Sequence, residues 1–181
     1  RRSSDLVKTC VGSEHCRFGT QRSMDLGVKL EKMLFGMWSP HKFKLAVSGC
    51  PRNCAESGIK DIGVIGVDSG YELYVGGNGG IKTEVAQFFC KVADDDEVLE
   101  YGGAFIQLYR EEGFYLERTC HYLERVGLEH VKKAVLEDAE QRKALYERLL
   151  FALQNYKDPW AEIVEDQAGG AHKRQFEIIK V

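Results

Sequence analysis

The stretch Phe43-Lys44-Leu45-Ala46-Val47-Ser48-Gly49-Cys50-Pro51-Arg52-Asn53-Cys54 joins a structural element to a chemical one without a break. Phe43, Leu45 and Val47 alternate with Lys44, Ala46 and Ser48, the period of two expected of a strand. The strand runs straight into two cysteines in a proline-containing loop. On this alternation Lys42 and Lys44 are expected to point away from the core. Pro51 has no backbone N–H to donate and fixes its own φ, and a short helix is expected from about Cys54 to Lys60. The free N–H groups at the start of such a helix would favour a thiolate at Cys54.

Working outward, the segment from Thr20 to Phe35 reads as a helix, closed near Gly36 and Pro40. Ile62 to Val67 and Tyr71 to Val75 read as two strands joined by the tight turn Asp68-Ser69-Gly70. After the glycine run Gly76-Gly77-Asn78-Gly79-Gly80 the pattern becomes helical, beginning with a short helix around Val85 to Val92. Asp94, Asp95 and Asp96 then offer caps for a helix whose inward stripe is Val98, Tyr101, Phe105 and Leu108. Further helices are expected from about Phe114 to Val126 and from about Leu128 to Asn155, the latter broken near Asp138. The fold class is therefore α+β: a mixed sheet with flanking helices and a helical C-terminal half. Residues 1–157 read as one domain, and 158–181 as a tail of unassigned role whose strand-like Phe176 to Val181 is suited to lie against another chain.

Composition narrows the function. A chain of 181 residues with 44% apolar side chains buries roughly 70% of its unfolded surface and needs no disulfides to be stable. A formal charge of −3 offers no basic footprint for nucleic acid. No apolar run approaches the length that spans a bilayer, and the opening Arg1-Arg2-Ser3-Ser4 precedes no apolar signal segment. The expectation is a cytoplasmic protein with neither a nucleic-acid nor a membrane partner, in a compartment where clustered cysteines are ligands or catalytic thiols more often than cystines.

Four of the six cysteines fall as Cys10-x5-Cys16 and Cys50-x3-Cys54. Two loops brought together by an intervening helix and strand could supply the four converging thiolates of an iron–sulfur cluster. The x5 gap fits a compact zinc knuckle poorly without excluding zinc, and two disulfides or redox thiols are the remaining alternatives. The other tempting residues have blander readings. Cys90 is expected in the core of an apolar helix, and Cys120 and His121 are helix neighbours that point apart. His15 is expected to be exposed, and the acidic run Asp94 to Glu97 to cap a helix. The glycine run lacks the spacing of a nucleotide loop.

Three motifs carry a resemblance: Thr9-Cys10-Val11-Gly12-Ser13-Glu14-His15-Cys16-Arg17-Phe18-Gly19, then Val47-Ser48-Gly49-Cys50-Pro51-Arg52-Asn53-Cys54, then Leu73-Tyr74-Val75-Gly76-Gly77-Asn78. Together they resemble the C-terminal repeat of the sirohaem-dependent and 4Fe-4S nitrite and sulfite reductases. Over roughly residues 5 to 160, and in Tyr101-Gly102-Gly103-Ala104-Phe105-Ile106-Gln107-Leu108-Tyr109-Arg110, the wording is similar to the large subunits of bacterial NAD(P)H-dependent assimilatory nitrite reductases.

The resemblance implies a 4Fe-4S cluster held by Cys10, Cys16, Cys50 and Cys54, with the Cys54 sulfur shared with the iron of a sirohaem. It implies six-electron reduction of nitrite to ammonia, with sulfite as the alternative substrate. NAD(P)H, FAD and a further iron–sulfur centre elsewhere in the full protein would deliver the electrons. Arg52, Asn53 and Arg17 become candidates for the sirohaem carboxylates, and Gly76, Gly77 and Asn78 for close approach to the macrocycle. The implied partners are nitrite, an N-terminal half of the same large subunit and a small subunit. The stretch alone is then expected to fold and bind a labile cluster without retaining sirohaem or reducing nitrite. Against this stand two readings without catalysis, an electron-transfer iron–sulfur module and a zinc-stabilised interaction domain.

Overall fold

The computed structural model describes residues 7–154 and residue 156. In chain order these form β1 (Val7–Thr9), α1 (Gly12–His15), α2 (Ser23–Leu34), β2 (Leu45–Ser48), β3 (Ile62–Val67), β4 (Gly70–Val75), β5 (Asn78–Gly79), β6 (Thr83–Glu84), β7 (Gln87–Val92), α3 (Asp95–Glu112), α4 (Thr119–Val126), α5 (Leu128–Lys132) and α6 (Ala139–Gln154). A 3-10 turn at Ser57–Ile59 precedes β3, and a π-helical stretch at Lys133–Glu137 precedes α6.

The main sheet has the order β1-β2-β3-β4-β7. β1, β2 and β3 run parallel, whereas β4 and β7 are antiparallel to their neighbours, so the sheet is mixed as expected. Parallel neighbours need crossovers. α2 supplies the first, burying Leu26, Leu30 and Leu34 at helical spacing against the sheet. The second, from Cys50 to Asp61, contains only the 3-10 turn.

β2 is buried on both faces from Leu45 to Ser48. The alternation expected for Lys42 and Lys44 holds at the start of the strand, where Lys44 is half-buried between the buried Phe43 and Leu45 and its N–H donates to the Asp61 carboxylate at 2.8 Å. It is lost at Ala46 and Ser48, where Ser57 of the second crossover bonds to the Ala46 carbonyl and the Ser48 hydroxyl. Lys42 is exposed.

Two helix expectations are overturned. Gln87–Val92 is an edge strand, not part of a helix. Its Gln-Phe-Phe-Cys-Lys-Val sequence is β-prone, and a bulge opposite Leu73 and Tyr74 places Phe89 and Cys90 together against the core, which hides the period of two. No helix begins at Cys54 either. Asn53 and Glu56 adopt left-handed backbone (φ 57° and 62°), and the Ser48, Asn53 and Ser57 side chains take the backbone bonds that a helix would make.

The helical half largely follows expectation. Asp94 caps α3, accepting from Glu97 N–H at 3.0 Å, and the break at Asp138 is present, its carboxylate accepting from Gln141 N–H at 2.8 Å. α3 is buried continuously from Gly102 to Tyr109, beyond a single stripe, because α6 packs on its far side with Leu145 and Leu149. α4 starts at Thr119, later than expected. The preceding turn, with Leu116 at φ 66°, is held by Tyr109 donating to the Glu117 carbonyl and by Arg125 on the Glu117 carboxylate at 2.8 Å. Among the described residues no helix is long and apolar enough to cross a membrane. The expectations for Asn155 and the tail from 158 lie outside the described residues.

The sheet end opposite the cysteine loops is tied by Asp61, which is fully buried. Its carboxylate accepts from Lys44 N–H, from Arg118 at 2.9 Å and from the Thr119 hydroxyl, and its carbonyl accepts from Gly76 N–H. Burial pushes this carboxyl up, and the opposing pulls are the Arg118 charge, the Thr119 hydroxyl and the Lys44 N–H. Asp61→Ala would strand the Arg118 guanidinium, whose side chain is only 12% exposed. We expect a loss of about 3–5 kcal/mol in chemical denaturation, as for breaking a buried pair by removing one partner. A loss within the range of a surface substitution would show that Asp61 does not tie these elements.

Candidate metal centre at the ends of the parallel strands

Both cysteine loops leave the C-terminal ends of parallel strands, where open α/β sheets place their ligands. Cys10 follows β1 and donates its N–H to the Val47 carbonyl at 3.2 Å. The chain then turns through α1, with Cys16 N–H returning to the Gly12 carbonyl at 3.0 Å and Gly19 N–H to the Cys16 carbonyl at 2.9 Å. Thr20 and Gln21 bring it back beside β2. The second loop begins at Ser48-Gly49-Cys50, and Asn53 N–H closes a turn on the Cys50 carbonyl at 3.2 Å.

The two loops are joined at Gly49. Its carbonyl accepts from Thr20 N–H at 2.8 Å, Gln21 N–H at 3.0 Å and the Thr20 hydroxyl at 3.0 Å. Its own N–H donates to the Cys10 sulfur at 3.1 Å. A Cβ at this position would lie 2.7 Å from the Gly12 Cα and 2.8 Å from the Gln21 carbonyl oxygen, so only glycine lets the loops meet this closely. Gly12 is itself left-handed at φ 60°.

The electrostatics differ among the thiols. Burial raises the Cys10 pKa, but hydrogen bonding to the Ser23 hydroxyl and to the N–H groups of Gly49 and Gly12 outweighs it, so this thiol lies below its ordinary value. Ser23 Oγ stands 3.3 Å from that sulfur. Cys50 is buried, Cys10 and Cys16 are half-buried and Cys54 is exposed. The guanidinium carbons of Arg17 and Arg52 lie 4.6 and 3.9 Å from the centre of the Phe18 ring, one arginine from each loop. Both arginines are exposed.

This donor set fits an iron–sulfur cluster better than a single ion. Zinc draws its thiolates in to about 2.3 Å, and among the described residues no three of His, Cys, Asp and Glu lie close enough to share one ion. An iron–sulfur cluster takes its thiolates from more than one loop, and the Gly49 junction braces the two cysteine loops side by side. N–H groups aimed at a ligand sulfur are also what such clusters use to set their potential.

The remaining candidates have visible structural duties. The Asn53 amide oxygen accepts from Gly58 N–H at 3.2 Å and braces the second loop. Gly77 packs on the same crossover, where a Cβ would lie 2.6 Å from the Lys60 nitrogen and oxygen, and its N–H donates to the Lys60 carbonyl at 2.9 Å. Asn78 opens the β5–β6 pair, its side chain donating to the Lys82 carbonyl at 2.8 Å. Of the bland readings, His15 is exposed, Cys120 is buried on α4 while His121 is exposed, and Cys90 packs against the core from a strand with its thiol pushed up to about 12 by burial. Motif reading missed Gly49, Ser23 and Phe18. Gly49 had a signal, its place directly before Cys50 of the motif; Ser23 and Phe18 act through contacts that spacing does not reveal.

Comparison with known proteins places the chain. The nitrite and sulphite reductase 4Fe-4S domain family matches residues 5–143. The chain belongs to that family. It is 58% identical over 161 residues to an NAD(P)H nitrite reductase of Bacillus subtilis, covering 89% of this chain and 20% of that protein. It is 35% identical over 130 residues to an assimilatory-type sulfite reductase of Nitratidesulfovibrio vulgaris, covering 72% of this chain and 60% of that one. Among solved structures, the crystal structure of dissimilatory sulfite reductase I aligns with a TM-score of 0.66 at 16% identity, over 73% of this chain and 52% of that one, and shows the shared fold. The chain thus spans about a fifth of the length of the Bacillus relative.

The junction is directly testable. Gly49→Ala inserts a methyl group where backbone already stands, and we expect a cost of about 1–3 kcal/mol, as for overpacking elsewhere, with a parallel fall in the iron and sulfide that the protein retains. Denaturation and metal content both at wild-type levels would mean that the loops do not depend on this contact.

Proposed function

We propose that residues 1–157 are the C-terminal repeat of a sirohaem and 4Fe-4S reductase domain acting on nitrite. Cys10, Cys16, Cys50 and Cys54 are the cluster ligands in this reading, and residues 158–181 form a tail outside the domain. The observation that carries the proposal is the junction at Gly49, which binds the two cysteine loops into one edge and aims an N–H at the Cys10 sulfur. The cluster and sirohaem, when bound, supply the redox chemistry of a six-electron reduction of nitrite to ammonia.

The chain's own residues supply position and charge. The buried Cys50 and the hydrogen-bonded Cys10 hold the inner corners, while Cys16 and the exposed Cys54 present the outer ones. Cys54, the exposed thiol of the four, would be the one accessible to a sirohaem. Arg17 and Arg52 are the cations placed at the same opening, suited to carboxylates by their planar fork. Gly77 packs on the Lys60 end of the second crossover, at the sheet end held by Asp61, and Asn78 follows it. The partners in this reading are the rest of a large subunit carrying FAD, a further iron–sulfur centre and the NAD(P)H site, together with a small subunit, in a cytoplasmic enzyme. Sulfite is the second substrate reading, favoured by the identity to the Nitratidesulfovibrio protein.

Two experiments test this. Cys10→Ser, Cys16→Ser and Cys50→Ser should each lower the iron and sulfide of anaerobically purified protein, since a hard alkoxide replaces a soft thiolate poorly, while Cys90→Ser should leave both unchanged. Unchanged content in the three ligand variants would contradict the assignment. For the substrate, the chain can replace the matching segment of the Bacillus subtilis relative. With reduced methyl viologen we expect ammonia from nitrite at a rate well above that of sulfide from sulfite, and the reverse preference would transfer the proposal to sulfite.

A further inference from the structure

Phe18 has no part in ligation, yet it is the side chain through which the two cysteine loops touch on their open side. It sits two residues past Cys16 and is 44% exposed. The Arg52 guanidinium, from midway between Cys50 and Cys54, lies 3.9 Å from its ring centre, and Arg17 lies at 4.6 Å from the sequence-adjacent side. The backbone that presents it is fixed by Gly19 N–H on the Cys16 carbonyl and by Thr20 on Gly49. The inner side of the centre is closed by β1, β2 and the Gly49 junction, so Cys10 and Cys50 are sheltered by backbone. On the outer side Cys16 is half-buried and Cys54 exposed, and Phe18 with Arg52 links the two loops that carry them.

We propose that Phe18 and Arg52 form a clasp that holds the two ligand loops closed over the outer face of the cluster and limits access of solvent and oxidant to it. The proposal rests on the reading of the four cysteines as cluster ligands. A guanidinium over an aromatic face is attracted by the negative face of the ring, and the contact stays favourable at an exposed site. Because Arg52 and Phe18 lie on different loops, their contact is made only when the two loops are brought together. Phe18 is thus a positioning residue, acting on how long the cluster lasts and leaving its ligands intact.

The test uses the protein reconstituted anaerobically with iron and sulfide, in wild type and in Phe18→Ala, Phe18→Tyr, Arg52→Ala, Arg52→Lys and the Phe18→Ala/Arg52→Ala pair. Iron and sulfide content is measured first, then the rate at which the visible absorption bleaches on admitting air. All variants should take up wild-type iron and sulfide. Phe18→Ala and Arg52→Ala should each bleach about two- to fivefold faster, the change expected from one exposed cation–π contact. Phe18→Tyr and Arg52→Lys should bleach at close to the wild-type rate, since each keeps a ring or a cation. The double variant should bleach no faster than the faster single one, because both remove the same contact. Wild-type bleaching rates in the two alanine variants would overturn the clasp. So would failure of tyrosine to rescue, or a double variant whose acceleration is the product of the singles. Arg52→Ala, made at an exposed side chain, keeps the test open if Phe18→Ala does not fold. Wild-type protein that takes up no iron and sulfide would overturn the ligand assignment and the clasp with it, whereas normal uptake with unchanged bleaching overturns the clasp alone.

Discussion

The backbone of Gly49 is the constraint on which the centre depends. One residue receives three hydrogen bonds from the returning arm of the first loop, donates to the sulfur of the first cysteine, and leaves its missing side chain as the space in which Gly12 lies. Two loops carrying four cysteines are entropically costly to bring together, because each ordered residue gives up roughly 1–2 kcal/mol of backbone freedom. Much of that cost is met before any metal arrives, by contacts that need only backbone. Thiolates from two separate loops can then meet one cluster without the cluster itself having to hold the loops in register.

The centre is also graded from inside to outside. On the inner side, the Ser23 hydroxyl and the N–H groups of Gly49 and Gly12 favour negative charge on Cys10. On the outer side lie two arginines and a phenylalanine, whose interactions are individually weak in water. The same contacts separate Cys10 from Cys90, whose burial pushes its thiol up to about 12.

How much of this is legible in the sequence depends on whether the determining contacts are local. The strand running into Gly49-Cys50-Pro51 is local, and so are the hairpin around Asp68-Ser69-Gly70, the Asp94 cap and the break at Asp138; all are present in the structure. The spacing of the four cysteines is equally local, which is why they stand out at once. Gln87–Val92 misleads because a bulge sets Phe89 and Cys90 on the same side, breaking the alternation that marks a strand. The loop after Cys54 misleads because Ser48 and Ser57, from opposite sides of the crossover, meet at 2.9 Å and replace the bonds of a helix. Phe18 is invisible for the same reason, since its partner Arg52 is reached only once the loops are folded together.

The sheet is asymmetric between its ends, and the asymmetry explains where the chemistry sits. At the end where β2 and β3 begin, Asp61 and Arg118 place a charge pair in the interior, with Thr119 and Lys44 N–H completing the carboxylate's partners. A buried pair of this kind adds little net stability compared with apolar packing, yet it penalises any shift that would separate its members. It therefore fixes the relative positions of β2, β3 and the start of α4. At the other end, where β1 and β2 finish, no charged side chain is buried among the described residues, and the loops are held by backbone bonds around a glycine. A ligand-binding end needs donors left free for the ligand, so side-chain charge cannot be spent on holding it together. With position enforced at the far end by Asp61 and at the near end by the Gly49 backbone, the cysteine sulfurs are left uncommitted to one another, and all six thiols are free.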